Sequence, residues 1–112
     1  MSAIVNEIVE VCVFRLQEDV PKFLILKRSD DEKLYPGFWQ VITGKIREKE
    51  RAFETALREL YEETQLSPLR KWVIPTVVNL YDVSRDTIQM APVFVFEVSP
   101  NDIPKLSKEH QS

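Results

Sequence analysis

The sequence predicts a layered α/β (α+β) domain, and three observations predict it. Short β-branched segments recur along the chain, a single clear amphipathic helix lies between residues 50 and 64, and 112 residues suffice for one core. At this size folding buries roughly two thirds of the unfolded surface. With 44% hydrophobic and 29% charged residues the composition is that of a globular domain, too apolar for disorder. Residues 1–112 are therefore read as one domain.

The elements follow in order. Residues 7–15 are rich in β-branched side chains and read as a strand. Phe23-Leu24-Ile25-Leu26 reads as a second strand, apolar on both faces and so expected to be central. Glu18-Asp19-Val20-Pro21 forms the hairpin connection between them. Tyr35-Pro36-Gly37 signals a turn before a short strand, Phe38 to Thr43. The helix runs from Glu50 to Thr64, and Phe53, Ala56, Leu57 and Leu60 fall on one arc about 100° wide, a core-facing stripe. Val73–Tyr81 and Thr87–Val98 form a strand pair around Asp82–Asp86, with Pro92 expected to interrupt the ladder.

Several function classes are excluded by counting. One cysteine, Cys12, rules out an internal disulfide framework and a cysteine-rich zinc site. One histidine, His110, leaves no multi-histidine metal site and no convenient Ser-His machinery. A net charge of −3 gives no electrostatic footprint for a nucleic acid polymer. The apolar run from Ala91 to Phe96 is far short of the roughly 18 residues of a membrane helix. The N-terminus has no basic segment of a secretory signal, so the expected location is cytoplasmic and no membrane partner is expected. Chemistry, if any, falls to carboxylates.

The helix supplies them. Glu59, Glu62 and Glu63 stand at i, i+3 and i+4 and occupy an arc adjoining the apolar stripe. Like charges at this spacing repel, and a divalent cation relieves the repulsion. Oxygen-only ligands favour Mg²⁺, with Mn²⁺ able to substitute, over zinc. Arg58 can reach Glu54 and Glu62 at i±4 and orient the latter. Spacing alone favours a solvated acidic helix face over a metal site.

The longer pattern reverses that preference. Only two glycines occur where average usage gives about eight, and both, Gly37 and Gly44, lie within one eight-residue stretch. From Gly44 to Leu66 the chain reads GKIREKERAFETALRELYEETQL. This resembles the Nudix box, G-x5-E-x7-R-E-U-x-E-E-x-G-U with U aliphatic. Gly44, Glu50, Arg58, Glu59, Leu60, Glu62, Glu63 and Leu66 match, and Gln65 stands where the family has glycine. The flanking strand order is also similar to the Nudix layout.

The resemblance implies a Nudix fold, a mixed β-sheet packed against the box helix. It implies Mg²⁺-dependent hydrolysis of a diphosphate linked to another group, in a nucleoside triphosphate or related nucleotide. Glu62 and Glu63 would be the principal metal ligands, with the Gly44 carbonyl completing the site and Glu50 supporting it. Glu59 would act as general base and as a further metal contact, and Arg58 would hold the glutamates. Glu109 resembles an acidic metal ligand of MutT-type enzymes, or is an ordinary charged-tail residue. Arg28 matches an arginine that touches substrate phosphate, or is a solvated strand-end residue.

Trp39 lies in a segment similar to bacterial dATP or dihydroneopterin triphosphate pyrophosphohydrolases and either stacks on substrate or packs in the core. Tyr81 stands close to where diadenosine polyphosphate hydrolases have a substrate tyrosine. MutT-type folds continue past the Glu109 loop with a strand and a helix, whereas this sequence stops there; either it is a piece of a longer chain or a partner completes the sheet edge, and one sheet face is expected to be less covered. A homodimer is left open. The alternatives are a diadenosine polyphosphate hydrolase and a catalytically silent nucleotide-binding module. All four box acids favour an enzyme.

Overall fold

The structure, a computed structural model, describes residues 1–24 and 41–104 in full and residues 26, 27, 39 and 40 by their backbones. Its frame is a mixed sheet with one helix on one face. The strands are β1 (Ala3–Val5), β2 (Ile8–Gln17), β3 (Val20–Leu24), β6 (Ile42–Lys45), β7 (Arg70–Asp82) and β8 (Thr87–Glu97). The helix α1 spans Ala52–Thr64. The short strands β4 (Leu26–Lys27) and β5 (Trp39–Gln40) pair with each other apart from this sheet.

β2 is the organising strand. Its alternation sends Val9, Val11 and Val13 to the helix side, where all three are buried. It pairs in parallel with β8 and antiparallel with both β3 and β6. Phe94 and Phe96 of β8 stand opposite Val11 and Val13 and join them in the core. The helix closes this layer with Ala56 and Leu60, both fully buried, while Phe53 and Leu57 pack at its margin. The apolar stripe read from the sequence is thus the buried one. Full burial of a side chain the size of Leu60 contributes on the order of 2 kcal/mol.

The Pro92 expectation holds in a specific form. β8 pairs with β1 through Thr87–Gln89 and with β2 through Val93–Glu97, so its neighbour changes across Met90–Pro92. On its other side the β7 register shifts between Val73 and Val77, where Pro92 faces Val77. Asn6, between β1 and β2, fills the gap by donating its side-chain amide to the Met90 carbonyl at 2.6 Å.

Four expectations are corrected. The Phe23 segment is not central: among the described residues β3 pairs with β2 alone, and Phe23 is 63% exposed. The connection before it is a two-residue turn, Glu18-Asp19, both residues at positive φ, which matches the right-handed strand twist. The helix begins at Ala52 because Glu50 is used in the preceding turn. The Phe38–Thr43 strand divides into β5 and β6, and Phe38 lies outside the described residues.

The sheet face away from α1 carries partly exposed aromatic side chains. There Phe14 lies between Phe23 and Trp72, ring centroids 6.0 and 5.8 Å away, and Trp72 is 42% exposed. No helix of the described residues is long and apolar enough to cross a membrane.

Candidate functional site

The end of β6, the turn after it and one edge of α1 enclose a groove of about 910 Å³. Residues 43–48 form one wall and Arg58, Glu59, Glu62 and Glu63 the other. Helical geometry grades the exposure of the three glutamates. Glu63, nearest the apolar stripe, is buried; the Glu59 side chain is 12% exposed; Glu62, farthest round the helix, is 42% exposed.

Gly44 meets Glu59 directly. Strand alternation turns Gly44 toward the helix, and a β-carbon placed there would fall 2.1 Å from Glu59 Cγ. No side chain larger than hydrogen fits without moving Glu59. Desolvation in this contact pushes the Glu59 carboxyl above its ordinary pKa; Arg58 opposes the rise, and the charges of Glu63 and Glu62 add to it.

Arg58 is the hub. Its Nε donates to Glu50 Oε2 at 2.7 Å and its Nη1 to Glu59 Oε1 at 2.8 Å and Glu62 Oε2 at 3.0 Å. Its Nη2 donates to Glu50 Oε1 at 2.9 Å and to the Lys45 carbonyl at 2.8 Å. One planar fork thereby ties the turn, the strand end and the helix together. Donating to the Glu50 and Glu59 carboxylates holds the Arg58 pKa above its already high value.

Glu50 gains more than the arginine. Thr55 Oγ1 donates to it at 2.7 Å and the Arg47 N–H at 3.1 Å. These donors, Arg58 foremost, hold its carboxyl far below the usual carboxylate range. The expected Arg58–Glu54 pair is absent. Glu54 instead accepts the Arg51 N–H at 2.9 Å, satisfying a donor that the start of the helix leaves free. Spacing offered Arg58 both partners at i±4; tertiary packing substituted Glu50, eight residues away.

The structure thus brings Gly44, Glu50, Arg58, Glu59, Glu62 and Glu63 into one locality. Tyr81 is elsewhere, on an adjoining groove of about 630 Å³ that also includes Glu7, Arg85 and Gln89; Lys45 lines both grooves. Its hydroxyl donates to Asp86 Oδ1 at 2.7 Å and its side chain is exposed. The Trp39 backbone pairs with Lys27 in β5, and Arg28 and Glu109 lie outside the described residues. Gln65 adopts the left-handed conformation at φ 60° and donates its N–H to the Tyr61 carbonyl, closing the helix as glycine would.

Three participants escaped the sequence reading. Thr55 braces Glu50, Lys45 supplies a carbonyl to Arg58, and Arg47 Nη2 donates to Glu62 Oε1 at 3.1 Å. Arg47 and Glu62 are separated by a turn and most of a helix, so no periodicity could have announced the pair.

The donor set is all oxygen, which suits a hard divalent cation. Among the described residues no three acidic, histidine or cysteine side chains are gathered tightly enough to hold a metal as they stand. Arg47 and Arg58 occupy both oxygens of Glu62. The glutamates nonetheless line one groove beside a glycine whose missing side chain leaves room, and they could hold such an ion once rearranged locally.

Comparison with known proteins identifies the family. The NUDIX domain family matches residues 7–112. Dihydroneopterin triphosphate diphosphatase of Haemophilus influenzae is 32% identical over 97 residues, covering 86% of this chain and 54% of that protein. The enzyme of the same name from Escherichia coli K12 is 34% identical over 77 residues, covering 69% of this chain and 45% of that protein. The chain therefore spans about half the length of these curated relatives. The crystal structure of a MutT protein from Methanosarcina mazei Go1 superposes with a TM-score of 0.79 at 25% identity, covering 99% of this chain and 75% of that one. With the family match extending over nearly its whole length and the box residues gathered around one groove, the chain belongs to the NUDIX domain family.

Proposed function

We propose that this chain is a Mg²⁺-dependent pyrophosphohydrolase. It cleaves the diphosphate linkage of a nucleoside triphosphate or related compound to a monophosphate and pyrophosphate. The observation that carries this reading is the juxtaposition of Gly44 and the Glu59, Glu62 and Glu63 helix edge in one groove braced by Arg58. The curated relatives favour a triphosphate substrate over a dinucleotide, since both carry the name of a triphosphate diphosphatase.

Glu59, Glu62, Glu63 and the Gly44 carbonyl would hold the cation, with Glu50 in support. Bound there, Mg²⁺ supplies neutralisation of phosphate charge and lowers the pKa of water. Glu59 takes the proton of the attacking water. Arg58 keeps Glu59 and Glu62 in place, so little reorganisation accompanies the reaction. By resemblance, Arg28 contacts the phosphates, Trp39 and Tyr81 the rest of the substrate, and Glu109 the metal.

The test is a Mg²⁺-dependent hydrolysis screen over nucleoside triphosphates, dinucleotide polyphosphates, nucleotide sugars and dihydroneopterin triphosphate, resolving the products. We expect triphosphates to yield pyrophosphate, chelation to silence turnover, and Glu59→Gln and Glu62→Gln each to lower it about a hundredfold or more with the fold intact. Near-wild-type turnover in both variants would sink the assigned roles. Metal binding with no turnover of any substrate would favour a silent binding module.

A further inference from the structure

Arg47 occupies one of the five positions that the box leaves unspecified between Gly44 and Glu50. Its side chain is 63% exposed at the lip of the groove, and among the described residues its guanidinium has Glu62 as its partner. Glu62 is bracketed, with Oε1 receiving Arg47 and Oε2 receiving Arg58. The two arginines are held very differently. Arg58 is only 16% exposed and makes further bonds to Glu50, Glu59 and the Lys45 carbonyl, so withdrawing it would disturb the whole turn. Arg47 can leave at the cost of one exposed ion pair, which is weak.

From this asymmetry we infer that Arg47 is a phosphate-binding residue that rests on Glu62 until a cation claims that carboxylate. The inference rests on the function proposed above. When the cation binds, Glu62 Oε1 is released by Arg47 and Arg58 stays in place. The freed guanidinium then stands at the groove's mouth beside Lys45, a second cation lining the same space. A guanidinium fork matches two phosphate oxygens, and each bond to an anion is charge-assisted. One side chain thus opposes metal binding in the resting protein and favours the diphosphate in the loaded one.

Those two roles have opposite signs, which makes them separable from simple damage to the fold. The full chain and its Arg47→Gln and Arg47→Lys variants would be titrated with Mn²⁺ alone, read by electron paramagnetic resonance. Each would then be titrated with methylenediphosphonate, a non-hydrolysable diphosphate, in saturating Mn²⁺ by calorimetry. Arg47→Gln should bind Mn²⁺ about threefold more tightly and methylenediphosphonate about tenfold more weakly. Arg47→Lys, which keeps the charge but loses the fork, should shift both less.

A variant that binds both ligands more weakly, or either one unchanged, overturns the inference while leaving the proposed function standing. If the wild-type chain fails to bind Mn²⁺ at all, the proposed function falls and this inference with it.

Discussion

The Glu59 side chain lies where the β-carbon of any residue other than glycine at position 44 would have to be: Cγ at 2.1 Å and Cδ at 2.6 Å from that point. The smallest possible side chain therefore collides with the carboxylate proposed to act as base. Gly44→Ala should cost about 1–3 kcal/mol through overpacking and lower turnover about a hundredfold by displacing Glu59. Urea denaturation and steady-state kinetics measure both. In a Glu59→Ala background the same substitution should cost less than about 1 kcal/mol, because the obstructing atoms are gone. An equal penalty in both backgrounds would mean that the Glu59 contact is not what excludes a side chain at 44.

The Arg58 fork cannot be replaced by a point charge. Arg58→Lys keeps the positive charge but cannot span Glu50, Glu59 and the Lys45 carbonyl together. We expect a loss of about 2–3 kcal/mol in denaturant unfolding, since partly buried carboxylates are left short of donors. Stability within about 0.5 kcal/mol of wild type would show that lysine recovers the network.

Glu7 supplies a pH-dependent tie between two parts of the sheet. Its carboxylate receives both Arg85 nitrogens, at 2.8 and 3.1 Å, and Gln89 Nε2 at 3.0 Å, while its carbonyl accepts the Ile46 N–H just past β6. The Arg85 bond, then that of Gln89, lowers its pKa to about 2 from an ordinary 4.5. Because the folded state favours the ionised form, this stabilisation is complete above about pH 4.5 and is lost as pH falls through about 2. Thermal melts of wild type and Glu7→Gln should thus differ most above pH 5 and converge toward pH 2. A gap that stays constant with pH would rule out the charge as its source.

Gln65 holds a left-handed conformation that glycine adopts without strain. Gln65→Gly should raise stability by about 1 kcal/mol, seen as a higher melting temperature, while turnover stays within about twofold because the exposed side chain lies outside the groove. A lower melting temperature would mean that the glutamine side chain makes a compensating contribution.

Much of the site is legible in the sequence alone. The apolar stripe Phe53, Ala56, Leu57 and Leu60 and the adjoining arc of Glu59, Glu62 and Glu63 follow from the angle between successive residues in a helix, which the chain fixes locally. The same angle anticipates the burial gradient from Glu63 to Glu62, since the apolar stripe sets which side of the helix faces the core. The spacing of Gly44, Glu50 and Arg58 to that helix carried the family resemblance, because the box is a pattern in one dimension.

What the sequence left undecided was partnership across elements. Helical spacing offered Arg58 to Glu54, and the turn folded Glu50 closer. Apolarity on both faces placed Phe23 in the middle of the sheet, whereas pairing left it on a strand bonded to β2 alone among the described residues. The Arg47–Glu62 pair and the Gly44–Glu59 contact join residues 15 positions apart. Periodicity acts within a single element, and contacts between elements are decided by how strand, turn and helix pack. The sequence by itself thus determined the helix, its acidic edge and the family; only the tertiary structure decided which cation holds which carboxylate and why position 44 has room for nothing but hydrogen.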